Sequence, residues 1–411
     1  MRDLAQTFLD ARRTTEQLAA CLSEEDQLVQ AMPLASPTKW HRAHTTWFFE
    51  EFVLSPAGFA PYDPRFAYIF NSYYDLVGER VSREKRGLLS RPSAREIAEY
   101  RRTVDEQVLP VLERDHLVQR QGVARLVELG INHEEQHQEL ILTDILAAFF
   151  ENPTQPAYRP GAAPASRAPA PELSWHTFDG GLVETGMPSD GFAFDNERPR
   201  HRVYLRPYSL ASRPITVGEV KAFIAERGYH TPSLWLADGY AVARAQAWEA
   251  PQYARTSGGV YEAFSLRGWR SPRDDEPASH LSFWEADAVA RFLDARLPTE
   301  AEWEHAAANA DPSAGNFVDG ELVPRPGPGT GLGQLFGDVW EWTRSSHEPY
   351  PGYRPPDGAI GEYNGKFMAQ QMVLRGGSCL TPRGHLRPSY RNFWHPDTRF
   401  QMSGARLARD P

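Results

Sequence analysis

A short stretch of Pro, Ala, Gly and Ser divides the chain into two halves of different composition and periodicity. Residues 159–172 read RPGAAPASRAPAPE, a composition typical of an extended linker. Residues 1–158 are poor in Gly and helical in period, whereas residues 173–411 are rich in Trp, Gly and closely spaced turn signals. The sequence therefore predicts two domains, a helical one followed by an α+β one without regular strand–helix alternation.

The first half predicts four main helices. The clearest spans residues 93–112, where apolar side chains recur every three or four positions and Ser93 with Glu96 forms a capping box. The other three span about residues 3–31, 36–54 and 121–150. Four such helices are expected to form a bundle. In the second half, short helices are predicted at 217–227 and 283–293, among short strands and long loops.

Charge, cysteine content and hydropathy exclude several classes of protein. The 44 Lys and Arg against 54 Asp and Glu give a net charge of −10, so neither a nucleic-acid partner nor an anionic membrane is expected. Two Cys allow neither a disulfide framework nor a four-Cys zinc site. The N-terminus lacks the continuous apolar run of a signal peptide, and the most apolar stretch, LILTDILAAFF, is too short to span a bilayer. A soluble, cytoplasmic protein is expected.

Two pairs of histidines lie on two of the predicted helices. His133 and His137 are four residues apart in NHEEQHQE, so both project from the apolar face of the fourth helix. His41 and His44 are three apart on the second helix. Imidazoles that point into a bundle need partners there. Three histidines from two helices predict a catalytic metal site with open positions, suited to Fe, Zn, Ni or Cu.

The histidine spacing also has an ordinary explanation. Histidines on a surface, or bonded to their neighbours in a core, produce the same spacing by chance. A zinc-protease interpretation is disfavoured because the downstream context of that motif is missing.

Two further clusters are candidates for catalysis and binding. Residues 70–74 read FNSYY, and Arg80, Arg83 and Arg86 follow. Paired tyrosines can supply a proton and arginines can grip a carboxylate, although ring packing and a solvated basic face are the commoner explanations. Residues 389–396 read SYRNFWHP, an arrangement that suits a cationic ligand or an aromatic core.

Several motifs, taken together, resemble a known enzyme family. RLPTEAEWE, GDVWEW, LRGGS and GARLA resemble the formylglycine-generating-enzyme type domain, which has a C-type-lectin-like fold. WHRAH with HEEQHQE resembles a DinB-like four-helix bundle. In this order the two are similar to the EgtB family of ergothioneine biosynthesis and its relative SenA, the selenoneine synthase. The resemblance covers essentially the whole chain and implies a DinB-like bundle in residues 1–158 and a C-type-lectin-like α+β domain in residues 173–411.

The resemblance also implies roles for individual residues. The ligands of a non-haem Fe(II) ion are expected at His44, His133 and His137, with His41 a neighbour. The catalytic tyrosine is expected at Tyr73 or Tyr74, which the sequence does not separate. The remaining residues are expected to bind substrate: Gln136 the imidazole, Arg83 and Arg86 the donor carboxylate, and Asn392, Phe393 and Trp394 the trimethylammonium end.

The implied reaction joins selenium or sulfur to the imidazole C2 of hercynine, the betaine of histidine, at the expense of O2. Phe393-Trp394 stands where the typical EgtB subgroup carries two Phe, and this change lies at the expected mouth of the site. It slightly favours a selenosugar as the donor, hence a selenoneine synthase. The alternative is a hercynine sulfoxide synthase that uses cysteine or γ-glutamylcysteine.

Three other classes of protein predict different behaviour. A zinc-dependent DinB-type thiol transferase uses the same histidines but needs no second domain. A copper-dependent formylglycine-generating enzyme needs two active-site Cys, whereas Cys379 stands alone in the second half. A non-catalytic lectin-like module predicts that His133→Ala leaves ligand binding unchanged.

Overall fold

The chain folds into two compact units. A computed structural model describes residues 4–113, 122–161, 172–327 and 331–411. The first unit contains Met1–Arg159 together with Pro356–Tyr363, and the second contains Pro160–Pro355 and Asn364–Pro411. Most of the predicted linker, residues 159–172, lies outside the described residues. The short segment Pro356–Tyr363 belongs to the helical unit, although the sequence boundary placed it in the second domain.

The first unit is helical. Its described helices are α1 (Leu4–Ala19), α2 (Thr38–Phe49), α3 (Arg65–Phe70), α4 (Ala94–Leu112) and α5 (Val123–Glu151). The four long helices correspond to the four predicted ones, and the capping box of Ser93 and Glu96 starts α4. The first helix ends twelve residues earlier than predicted, before a turn in which Ser23 and Asp26 bond each other's backbone amides. Such local side-chain bonds compete with continuation of a helix.

A buried ion-pair network ties α5 to α1 and α4. The Glu134 carboxylate on α5 accepts hydrogen bonds from Arg12 Nη1 at 2.7 Å, Arg101 Nη2 at 2.7 Å and Thr15 Oγ1 at 2.6 Å. Burial raises the pKa of Glu134, but Arg12 and Arg101 outweigh it and lower the pKa to about 2. This carboxylate is therefore ionised at neutral pH and fixes the rotation of α5 about its axis.

The second unit is built on a six-stranded sheet. Its strands are β1 (Trp175–Phe178), β4 (Tyr208–Pro214), β8 (Trp340–Ser346), β9 (Met372–Arg375), β10 (Asn392–Trp394) and β11 (Ser403–Arg409). Their order is β1-β4-β11-β8-β9-β10, and only β8 and β11 run parallel. A ribbon of β2 (Gly181–Thr185) with β3 (His201–Leu205) and a three-stranded sheet of β5 (Ala254–Ser257), β6 (Val260–Ser265) and β7 (Gly268–Arg270) complete the strands of the described residues.

Four helices of the described residues accompany these strands. They are α6 (Val217–Ala225), α7 (Ala237–Ala245), α8 (Phe283–Phe292) and α9 (Glu300–Ala307). The sequence predicted α6 and α8 to within two residues and missed α7 and α9. In α9 only eight residues are helical, which is too few to display a clear apolar stripe. No helix among the described residues is long and apolar enough to cross a membrane.

Three of the motifs quoted above meet in the core of the second unit. Arg406 from GARLA forms a forked ion pair with Glu341 from GDVWEW, and neither side chain is exposed to solvent. Trp303 from TEAEWE donates its indole N–H to the same carboxylate at 2.6 Å. A buried charge needs this degree of pairing, so these motifs are explained by the stability of the fold.

Candidate metal centre

The histidines of α2 and α5 meet inside the helical unit. One ring nitrogen from each of His44, His133 and His137 lies within 4.8 Å of the other two, and all three side chains are at least nine-tenths buried. Gly130, one turn before His133, allows the helices to approach, because a Cβ there would lie 2.5 Å from Cε1 of Phe49. Among the described residues, this is the group with the geometry to hold a metal ion.

The tautomer of His44 follows from its surroundings. Its Nδ1 lies 2.6 Å from the carbonyl oxygen of Phe70, and a carbonyl only accepts, so Nδ1 carries the proton. The lone pair on Nε2 is then directed toward His133, whose Nε2 is 3.2 Å away. Two nitrogens each about 2.1 Å from one ion are separated by roughly 3.0–3.4 Å at ordinary coordination angles. The pair therefore fits one metal ion.

Burial keeps all three imidazoles neutral. Desolvation lowers the pKa of His133 to about 3, and it lowers the pKa of His44 and His137 well below the ordinary value. A neutral imidazole is the form that binds a metal. Three such donors without a carboxylate suit a first-row transition metal.

The first glutamate of HEEQH does not serve this centre. In a zinc protease the corresponding Glu is the general base beside the metal. Here the Glu134 carboxylate is occupied by Arg12, Arg101 and Thr15 in the bundle core. The HEEQH sequence thus lacks the base that a protease requires.

Arg86 lies beside the histidines. Its guanidinium carbon is 3.4 Å from the centre of the Trp40 ring, and that ring stacks on His44 with centroids 4.6 Å apart. Arg86 donates to Ser36 Oγ at 2.9 Å and Ser72 Oγ at 3.1 Å, and it is only 2% exposed. Burial lowers the pKa of Arg86 well below the ordinary value, and Asp144 counteracts this only in part, from beyond ion-pair distance among the described residues.

Arg83, the second arginine predicted to bind the carboxylate of the sulfur or selenium donor, is placed differently. Arg83 is exposed and begins the 3-10 turn Arg83–Leu88 that carries Arg86. Its carbonyl oxygen accepts a hydrogen bond from Gln30 Nε2 at 2.8 Å, and Gln30 Oε1 accepts from Gly87 N at 2.6 Å. Gln30 therefore holds both ends of the turn.

The two candidate tyrosines differ in their packing. Tyr74 is fully buried and its ring contacts Trp47 and Phe52. Tyr73 is half-buried, and its hydroxyl lies 3.5 Å from that of Tyr74. The Tyr73 ring also meets Tyr363 edge-on at 6.3 Å.

Sequence reasoning missed Tyr363. Its hydroxyl donates to Gln136 Oε1 at 2.5 Å, and its ring centroid is 5.6 Å from that of His133. This residue lies in the loop segment Pro356–Tyr363, which the fold places with the helices. The surrounding PPDGAIGEYNG has no periodicity that would have singled it out.

The three residues predicted to hold a trimethylammonium group form β10 in the second unit. Phe393 stacks on His347 with centroids 3.9 Å apart, and Trp394 meets Phe400 edge-on at 5.2 Å. Asn392 Oδ1 accepts from Phe393 N at 2.9 Å. Their role in substrate binding stays a prediction.

Comparison with known proteins matches both units and the whole chain. The DinB superfamily matches residues 7–141, and the sulfatase-modifying factor enzyme 1-like domain matches residues 162–328 and 324–411. The hercynine oxygenase of Mycolicibacterium thermoresistibile is 31% identical over 99% of this chain and 95% of its own. That of Mycolicibacterium smegmatis is 33% identical over 93% of this chain and 92% of its own. The chain belongs to the EgtB family of hercynine oxygenases.

Membership in the EgtB family also accounts for a partial likeness. The formylglycine-generating enzyme of Streptomyces coelicolor is 28% identical over 54% of this chain and 84% of its own. This similarity is confined to about half of the chain, whereas the similarity to the EgtB relatives extends over nearly all of it. The predicted fold, a DinB-like bundle followed by a formylglycine-generating-enzyme type domain, is confirmed.

Proposed function

We propose that this chain is a non-haem iron(II), O2-dependent enzyme that forms a carbon–sulfur bond at the imidazole C2 of hercynine. The observation that carries the proposal is the convergence of three neutral imidazoles in a chain similar over nearly its full length to hercynine oxygenases. In the overall reaction, hercynine C2–H and a thiol S–H are oxidised and joined. One atom of O2 enters the sulfoxide and the other leaves as water.

His44, His133 and His137 would hold the metal. Bound iron(II) would supply open coordination positions and redox chemistry, whereas the protein supplies position and a dry environment. Gln136 follows His133 on α5 by three residues, and its side chain is oriented by the Tyr363 hydroxyl. We assign Gln136 to the imidazole of hercynine, and Asn392, Phe393 and Trp394 to its trimethylammonium end.

Arg86 favours a donor that carries a carboxylate. A buried guanidinium whose hydrogen-bond partners are neutral serines keeps a charge that Asp144 offsets only at longer range, and an anionic ligand lowers the cost of burying it. Cysteine and γ-glutamylcysteine bring a carboxylate, whereas a selenosugar does not. We therefore place the thiol donor first and the selenosugar second, which reverses the order that Phe393-Trp394 alone favoured.

We assign proton delivery to Tyr73. Its ring meets Tyr363 beside Gln136, whereas Tyr74 packs against Trp47 and Phe52. A half-buried phenol at the edge of the centre is the better placed of the two to reach a substrate.

The test is an assay of the whole protein, loaded with Fe(II), with hercynine and a panel of donors: cysteine, γ-glutamylcysteine and a selenosugar. Product mass identifies the bond formed, and an oxygen electrode measures O2 consumption. We expect a sulfoxide product with one of the thiols, loss of turnover under argon, and loss of both metal and turnover in His133→Ala.

The competing functions give different results. Full activity with Zn(II) under argon would identify a thiol transferase. Product from the selenosugar alone would identify a selenoneine synthase. Stoichiometric iron retained by His133→Ala would contradict the ligand assignment.

A further inference from the structure

His137 is connected to a buried carboxylate through a second histidine. Its Nδ1 lies 2.7 Å from Nδ1 of His41, and Nε2 of His41 lies 3.0 Å from Oδ2 of Asp144. The same Oδ2 accepts from Ser36 N at 2.7 Å. His41 and Asp144 are 2% and 7% exposed, so both side chains are almost wholly buried.

The hydrogen-bond donors and acceptors in the series Asp144–His41–His137 can be assigned from its two ends. A neutral imidazole carries one N–H and one lone pair. Oδ2 of Asp144 accepts from the backbone N–H of Ser36, and a carboxylate oxygen that accepts from His41 as well selects the His41 tautomer with the proton on Nε2. Nδ1 of His41 is then an acceptor, and Nδ1 of His137 must carry its proton to donate to it. The lone pair of His137 is left on Nε2, the nitrogen that remains for a metal.

The other two histidines of the centre are supported differently. The backbone carbonyl of Phe70 fixes the tautomer of His44. Nδ1 of His133 is buried without a hydrogen-bond partner among the described residues. His137 is therefore the histidine of the three whose orientation depends on side chains that can be replaced.

We propose that His41 and Asp144 are positioning residues of the metal centre, in which Asp144 acts through His41 to hold His137 in the tautomer that binds metal. Partners of this kind orient a ligand and raise its basicity, and their loss typically weakens metal binding about ten- to a hundredfold. The inference rests on the three-histidine metal centre of the proposed function. It is independent of the donor and of the reaction.

The experiment measures Zn(II) affinity of the full chain by competition with a chelating dye at a fixed pH. We expect His41→Phe, which removes the acceptor for His137, to weaken binding about ten- to a hundredfold. His41→Asn should restore most of the affinity, because its side-chain oxygen can accept from His137 Nδ1 at the position of the lost nitrogen.

A double-mutant cycle tests whether Asp144 acts through His41. Asp144→Ala should weaken Zn(II) binding in the wild-type background and have no further effect in the His41→Asn background. A merely structural role would cost the same affinity in both backgrounds. Thr143→Val, a change at the neighbouring fully buried position of α5, is the control for disturbance of the helix, and thermal melting of each metal-free variant reports on folding.

Three results would overturn the inference. They are wild-type affinity in Asp144→Ala, equal losses in the two backgrounds, and a His41→Asn variant as weak as His41→Phe, which would make His41 itself a ligand. Each leaves the proposed function in place if the wild-type chain binds metal. Failure of the wild-type chain to bind Zn(II) or Fe(II) would overturn both.

Discussion

Replacing Arg86 by Met should separate substrate binding from stability. The guanidinium is 2% exposed, lies over the Trp40 ring at 3.4 Å and donates to two serine hydroxyls. Met keeps the apolar contact with the ring. The substitution removes a cation–π contact of about 1 kcal/mol. It also removes a desolvated charge, and replacement of buried charges by apolar groups is often neutral or stabilising. We expect the free energy of unfolding to change by no more than about 1 kcal/mol.

The same substitution should strongly lower kcat/KM for the thiol. A hydrogen bond between charged groups contributes about 1.5–3 kcal/mol. Loss of about 3 kcal/mol of donor binding in the transition state lowers kcat/KM for the thiol roughly one-hundred- to two-hundredfold. The KM for hercynine should change little, because Arg86 is proposed to bind the carboxylate of the thiol and not hercynine. Steady-state kinetics with each substrate varied in turn, together with urea unfolding, measure both effects.

Arg12 offers a matched control. It is also 2% exposed, but it is paired with Glu134 and Asp105. Arg12→Met removes one of the two arginines that pair with Glu134, together with the arginine that pairs with Asp105, and should cost about 3–5 kcal/mol of stability. The reasoning fails if Arg86→Met destabilises the chain as much as Arg12→Met does. It also fails if Arg86→Met leaves the KM and kcat of the thiol unchanged.

Three more predictions concern single side chains. Tyr73→Phe should change the product ratio while Tyr74→Phe changes it little, as read by product mass; identical products from both would refute the assignment. Glu341→Ala should lower the free energy of unfolding by about 3–5 kcal/mol because it leaves Arg406 buried and unpaired, and an ordinary loss near 1 kcal/mol in urea unfolding would contradict this. Burial lowers the pKa of His280 to about 4, so the unfolded chain takes up the proton first, near pH 6.5. The contribution of His280 to the free energy of unfolding should fall by about 1.4 kcal/mol per pH unit as the pH decreases from 6.5 to 4. His280→Phe should remove this contribution to the pH dependence, as measured by urea unfolding at each pH.

Local patterns predicted the four long helices of the helical unit, but neither the end of α1 nor the short helix α3. The four-residue spacing of His133 and His137 places both on one face of any helix, and the apolar stripe tells which face is buried. The capping box of Ser93 and Glu96 located the start of α4. The two-part fold also followed from motifs. Two of their residues, Trp303 and Arg406, both bind Glu341 in the core.

The sequence alone therefore determined the fold class, the two helices that carry the histidine pairs, and the histidines that are candidate metal ligands. The tertiary structure decided which groups surround them. It places Glu134 in a buried ion-pair network with Arg12 and Arg101. It also brings Tyr363, from a loop more than two hundred residues away, to Gln136, and links Asp144 to His137 through His41. These are contacts between residues distant in the chain. Periodicity and spacing describe only neighbours within one element, whereas hydrogen-bond partners and burial are set when separate elements pack together.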